Sequence, residues 1–122
     1  MADERPSYMI VFRDDVERDE QWSLVRRALD CRSFGLNLVE ILPGEAIPEH
    51  DEVDRDQEEV FFVVTGSPVL VIDGQEHPAP AGTFARIDPH HRRTVRNEGG
   101  EAASVLIVSA PQTSGYQPMA WA

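Results

Sequence analysis

Short apolar runs separated by glycine, proline and aspartate turns make up this chain. Residues 8–12 (YMIVF) predict a first strand, and residues 13–21 are too charged to bury and predict a loop. Residues 22–29 (WSLVRRAL) fit two readings. Trp22, Val25 and Leu29 share a helical face, and a strand is the alternative. Residues 34–42 (FGLNLVEIL) partly alternate, with Leu36, Leu38 and Glu40 on one side, and predict a strand ended by the Pro43-Gly44 turn. Residues 60–65 form a nearly continuous apolar strand, closed by Gly66-Ser67-Pro68. Strands over 69–72 and 75–78 flank Asp73-Gly74, the strongest hairpin signal in the chain. Further strands are expected over 83–87, 94–97 and 102–109, the last two joined by Glu98-Gly99-Gly100. Many short strands with turns between them predict an all-β sandwich or closed barrel.

Composition narrows the picture. The chain has 122 residues, one domain's worth, and 41% of them are hydrophobic. It divides into a core over 34–110, an N-terminal strand and loop over 1–33, and an aromatic tail over 111–122. The net charge of −11 argues against nucleic acid and against an anionic membrane surface, both of which need a basic face. All eleven basic residues are arginine. Cys31 is the only cysteine, so no internal disulfide forms, and a lone thiol suits a reducing cytosol. The start, MADERPSY, is too polar for a secretory leader, and no apolar run reaches membrane-spanning length. A cytoplasmic protein is expected. Tyr116, Met119 and Trp121 need somewhere to pack, so the tail is expected to dock on the barrel wall or on a partner subunit.

The candidate chemistry lies between Gly44 and Gly66 (GEAIPEHDEVDRDQEEVFFVVTG). His50 sits in an acidic segment, and Glu59 opens the apolar strand with Phe61 on its face under period-2 alternation. A histidine and a carboxylate entering a small barrel suit a divalent metal. The acidic residues Glu49, Asp51, Glu52, Asp54, Asp56 and Glu58 read first as a solvated loop, with a cation-binding rim as the sharper alternative. The arginines Arg86, Arg92, Arg93 and Arg96 either compensate that loop or bind an anionic ligand. His77, in the hairpin, is expected to be exposed.

Two blocks, Gly44 to Gly66 and PAGTFARIDPHHRRTVRN, together resemble the two motifs of the cupin superfamily. Gly44, His50, Glu59 and Gly66 fit the first motif, and the second motif histidine falls on Glu52 or, in another register, Asp54. Pro89 and Asn97 fit the second motif, whose histidine falls on Arg93, with His91 two residues earlier. The resemblance implies a jelly-roll β-barrel and a homodimer, with an edge strand or the tail crossing between subunits. It implies a ligand pocket built from His50, Glu52, Glu59, Phe61, His91 and Arg93. Its metal set would be His50 and Glu59, with His91 and Glu52 as further ligands and His90 as a substitute, for iron, manganese, zinc or nickel. Arginine cannot ligate a metal, because its guanidinium stays protonated and has no lone pair. If Arg93 points inward, it is expected to pair with Glu59 or Glu52 in place of a metal centre. Two functions remain open from sequence: a barrel that binds a small organic ligand, anionic if the arginines face it, and a metal-dependent oxygenase, isomerase or lyase.

Overall fold

Alternation along the two longest strands decides the architecture. The computed structural model describes residues 5–122. Strands β1 (Arg18–Asp19) and β2 (Trp22–Ser23) precede a short helix α1 (Val25–Leu29). Then follow β3 (Gly35–Ile41), β4 (Gln57–Thr65), β5 (Val69–Ile72), β6 (Gln75–Pro78), β7 (Phe84–Ile87), β8 (Arg93–Arg96) and β9 (Ala103–Pro111). In β4, Gln57, Glu59, Phe61 and Val63 turn inward. In β9, Ala103, Val105 and Ile107 do the same.

The strands form two antiparallel sheets, one ordered β1-β2-β3-β9-β4-β7 and the other β6-β5-β8. The stretch before β4 joins the second sheet through bridges from Ala46 to Arg96 and from His50 to Arg93. The protein is therefore an all-β jelly roll. Between the sheets, Val39, Ile41, Phe61, Val63, Val105 and Ile107 meet Ile47, Leu70, Ile87 and Val95 in one apolar cluster. Burying each such side chain contributes about 1.5–3 kcal/mol. Buried Asn97 ties strand ends together. Its Nδ2 donates to the carbonyls of Ile41 (2.8 Å) and Glu101 (2.7 Å), and its Oδ1 accepts from the Gly99 amide (3.0 Å). The polar end of the inward face, Gln57 and Glu59 of β4, marks the mouth where the candidate site lies.

Several expectations are corrected. Residues 8–12 are apolar enough for a strand but pair with no sheet among the described residues, and Tyr8, Ile10 and Phe12 are largely exposed. Strand propensity needs a free edge to be realised. Residues 22–29 satisfy both readings in sequence: Trp22 and Ser23 pair with Val39 and Leu38, and the helix follows. The helix ends at Asp30, whose left-handed φ of 54° stops it. Strand β4 begins at Gln57, so Glu59 lies inside it and does not open it. The tail does not dock on this chain's barrel, since Tyr116, Met119 and Trp121 are 76%, 65% and 83% exposed. Residues 1–4, the start of the segment read as too polar for a leader, lie outside the described residues. No helix among the described residues is long and apolar enough to cross a membrane.

Gly66 ends β4 at φ +83°, and a Cβ there would meet the Cα and Cβ of Ala103 at 2.8 Å. At Gly74, φ is +79° and nothing lies within 4 Å. Gly66→Ala is therefore expected to cost about 2–4 kcal/mol, strain plus a backbone clash. Gly74→Ala is expected to cost only about 1 kcal/mol, from strain alone. Urea denaturation of the two variants checks this, and equal costs would mean that β4 and β9 separate freely at Gly66.

Candidate functional site

Backbone pairing brings the site together. The His50 amide donates to the Arg93 carbonyl at 3.1 Å and the Arg93 amide donates back to His50 at 2.8 Å. Residues paired in this way send their side chains to the same face. The Glu52 amide donates to the Pro89 carbonyl at 3.0 Å, turning the acidic loop towards the mouth. Glu59 lies opposite Ser109 of β9 on one side and Ile87 of β7 on the other.

The result is a group of three candidate ligands, His50, Glu52 and Glu59, whose donor atoms lie within 4.8 Å of one another. Glu52, and not the exposed Asp54, faces inward. His50 Nδ1 donates to the Pro48 carbonyl at 2.9 Å, which fixes the ring and leaves Nε2 facing the carboxylates. Nε2 lies 3.3 Å from Glu52 Oε2 and 4.0 Å from Glu59 Oε1. A bare nitrogen lone pair there would meet carboxylate lone pairs, so the arrangement calls for a proton or a cation between them.

Arg93 stands behind this group with 0% exposure. Its Nε lies 3.6 Å from Glu59 Oε1, an ion pair too long to be a hydrogen bond. Its second terminal nitrogen donates to the carbonyls of Ile87 (3.3 Å) and Asp88 (3.0 Å). Arg93 Nε, its other terminal nitrogen and Glu59 Oε1 are buried without a hydrogen-bond partner. Burial, then the charge of Glu52, pushes the Glu59 carboxyl above its ordinary 4.5, and the opposite pulls of Arg93, His50 and Arg55 do not offset this.

A cavity of about 220 Å³ opens over the group, lined also by Trp22, Asn37, Arg55, Gln57 and Ser109. None of these five was singled out from sequence as a site residue. Gln57 carried a signal, because the period-2 rule extends back from Glu59 to it. Asn37 was readable too, as a polar residue on the buried side of β3. Trp22 and Arg55 reach the site only through tertiary packing.

The other sequence candidates go elsewhere. His91 does not join the group. Its Nδ1 donates to Asp73 Oδ2 at 2.6 Å across the hairpin turn, and its ring stacks on His90 at 4.1 Å. That hydrogen bond, with one from the Arg92 amide, holds the Asp73 carboxyl below its usual range. Phe61, 2% exposed, belongs to the apolar core and not to the cavity lining. Arg93 touches the site through Glu59 and does not line the cavity either. Arg86, Arg92 and Arg96 compensate acids: Asp88 (3.3 Å), Glu49 (3.3 Å) and Glu76 (2.9 Å) respectively. They form no anion-binding cluster.

Residues 37–109, more than half of the chain, match the family model described as Cupin domain. No curated protein matches the chain. Among solved structures, a cupin protein from Bacteroides fragilis superposes with a TM-score of 0.79 at 17% identity, covering 94% of this chain and 93% of that one. A Cupin 2 conserved barrel domain protein from Salinispora arenicola gives 0.67 at 21% identity, covering 91% and 93%. A sugar phosphate isomerase from a cupin superfamily, from Silicibacter pomeroyi, gives 0.70 at 24% identity, covering 81% and 73%. At these identities the likeness establishes the fold alone.

The raised Glu59 carboxyl fixes the sign of one pH effect. The folded chain holds this proton more tightly than the unfolded chain, so its contribution to stability is complete below about 4.5 and is lost as pH rises through the folded value. In Glu59→Gln, with chelator present, stability is expected to fall less steeply from pH 4.5 to neutrality, by up to about 1.4 kcal/mol per pH unit. Urea midpoints across that range measure it, and parallel curves for the two proteins would contradict a raised Glu59.

Proposed function

We propose, from the premise that this chain belongs to the cupin domain family, that it binds a small polar organic molecule at the mouth of its barrel. The ligand would sit over a metal site that Arg93 has reduced to three donors. The carrying observation is the complete burial of Arg93 beside Glu59. A guanidinium takes the place of a ligand in the family pattern without offering a lone pair. It also commits part of the charge of Glu59 that a metal would otherwise use. The cavity of about 220 Å³ suits a small molecule. Asn37, Gln57 and Ser109 supply donors and acceptors for hydroxyl or carboxyl groups, and Trp22 supplies a flat apolar wall. Glu52 and His50 Nε2 reach the same space, so a ligand hydroxyl or acid proton could bridge them.

One observation favours a second reading, a metal-dependent enzyme. The fixed His50 ring presents Nε2 to two carboxylates, a donor set that suits iron, manganese, zinc or nickel. His50, Glu52 and Glu59 would hold the ion. When bound, it would supply Lewis acidity to a ligand oxygen. Arg93 would keep Glu59 oriented, and Trp22 would limit water at one wall.

The exposed apolar run over residues 8–12 suits a second copy of the chain, and in this reading the protein works as a homodimer. Sedimentation of the full chain would reveal it, and a monomer at all concentrations would remove it.

The binding reading is tested by thermal shift with small hydroxy acids and sugars in the presence of chelator. A stabilising ligand is expected whose effect disappears in His50→Ala and in Glu52→Gln. A shift that survives both substitutions would place the ligand elsewhere. Arg93→His separates the two readings, because it exchanges a buried cation for an imidazole donor. Divalent-metal affinity by calorimetry is expected to rise about tenfold or more over wild type. Tight stoichiometric metal in wild type, unchanged in Arg93→His, would instead favour the enzyme.

A further inference from the structure

We propose that the outer face of the six-stranded sheet is an interface between two copies of this chain, each laying its N-terminal arm on the bare half of the other's sheet. This deepens the homodimer reading above and rests on it. Alternation sets the face. Residues of β3, β9, β4 and β7 that turn away from the core stand opposite one another in cross-strand rows. One row is Leu38, Leu106, Phe62 and Phe84, and the next is Leu36, Val108 and Val60, ending at Arg86. The Phe62 and Phe84 rings stack with centroids 4.3 Å apart. A sheet face turned to water normally carries polar residues. This one does so only at its ends, in the row Glu40, Ser104 and Thr65 and at Glu58. Glu59 points to the opposite side of β4, so covering the outer face leaves the barrel mouth free.

The arm, residues 5–13, is held at both ends. At its start the Arg5 guanidinium donates to the Asp30 carbonyl and lies 3.7 Å from the Asp30 carboxylate, and Asp30 closes α1, which packs on β3. At its end Arg13 and Asp14 line a cavity with Leu38, Thr65 and Ser104. The arm therefore runs on the β3 side of the sheet. The β4–β7 half stays bare, with Phe84 72% and Val64 44% exposed. Exposure alternates along the arm: Tyr8, Ile10 and Phe12 are 76%, 87% and 65% exposed, against 41% for Met9 and 37% for Val11. An extended segment with this period presents one apolar row outward.

Shape, area and charge select a second copy as the occupant. Each chain carries an outward apolar arm beside a bare half-sheet, so one two-fold axis seats both arms at once. Aromatic side chains bury about 150–250 Å² each, so Tyr8, Phe12 and Phe84, with Ile10, offer on the order of 500 Å² of apolar surface per chain. With a rim added, this approaches the roughly 800 Å² per partner of a stable interface. Two chains at −11 repel each other and meet closely only where acids do not face acids. Neither cross-strand row carries an acid, and residues 8–12 carry no charge.

Sedimentation equilibrium of the full chain over a concentration series tests the interface. Ile10→Glu and Phe84→Glu alter exposed side chains, so both variants fold, and each is expected to weaken the dimer about tenfold or more. Geometry is read by cross-linking in a Cys31→Ser background, which removes the only native thiol. Ile10→Cys chains mixed with Phe84→Cys chains are expected to give a disulfide-linked pair in higher yield than either variant alone. Tyr116→Ala/Met119→Ala/Trp121→Ala should leave the dimer constant unchanged. A loss there as large as that of Phe84→Glu would seat the tail on the bare half and overturn the arm's place on it. A wild-type dimer that either glutamate variant leaves unchanged, or a mixture that cross-links no better than the single variants, overturns the interface while the homodimer reading stands. A wild-type monomer at every concentration removes both.

Discussion

Arg93 is the largest side chain in this protein with essentially no exposure, and the barrel mouth is arranged around it. Taking a guanidinium out of water costs several kcal/mol unless charge and hydrogen bonds replace the solvent. Here the replacement comes from Glu59 on β4 and from two carbonyls at the end of β7, Ile87 and Asp88. Three strands are thereby held in one register. The backbone pairing of His50 with Arg93 then decides where the histidine sits, and Glu59 decides where its partner carboxylate sits.

The compensation is incomplete. Three buried polar atoms of the Arg93–Glu59 pair lack hydrogen bonds, and Glu52 adds a second carboxylate to the same space. Glu59 faces the guanidinium and Glu52 faces His50 Nε2, with Arg55 further out. Such a group accepts a proton, a cation or a hydrogen-bonding ligand more readily than it stays as it is, because buried donors and acceptors without partners are costly. Stability and binding are linked here: the features that make Arg93 tolerable inside the fold also leave the mouth polar and receptive.

The fold was readable from local signals. Strands β5 and β6 and the Asp73-Gly74 hairpin appear where turn chemistry placed them, and β3, β4, β7, β8 and β9 differ at their ends by a few residues. Residues 8–12 form no strand and residues 111–122 do not dock on this chain's own barrel for one reason: apolar content says that a segment gains from burial, not what is available to bury it. His91 was misread because its position two residues before Arg93 suggested a shared strand face, whereas β8 begins at Arg93 and His91 still belongs to the turn.

What the sequence alone determined was the class of fold and the chemical inventory: His50, Glu59 and an arginine at the position of a fourth ligand. The strand pattern follows from periodicity, and the roles of these residues are what the resemblance to the cupin motifs implies. What only the tertiary structure decided was which acid turns inward and which acids pair with Arg86, Arg92, Arg93 and Arg96. Such choices depend on distances between segments far apart in the chain. The sequence holds 22 acids and 11 arginines, and only the fold assigns the partners.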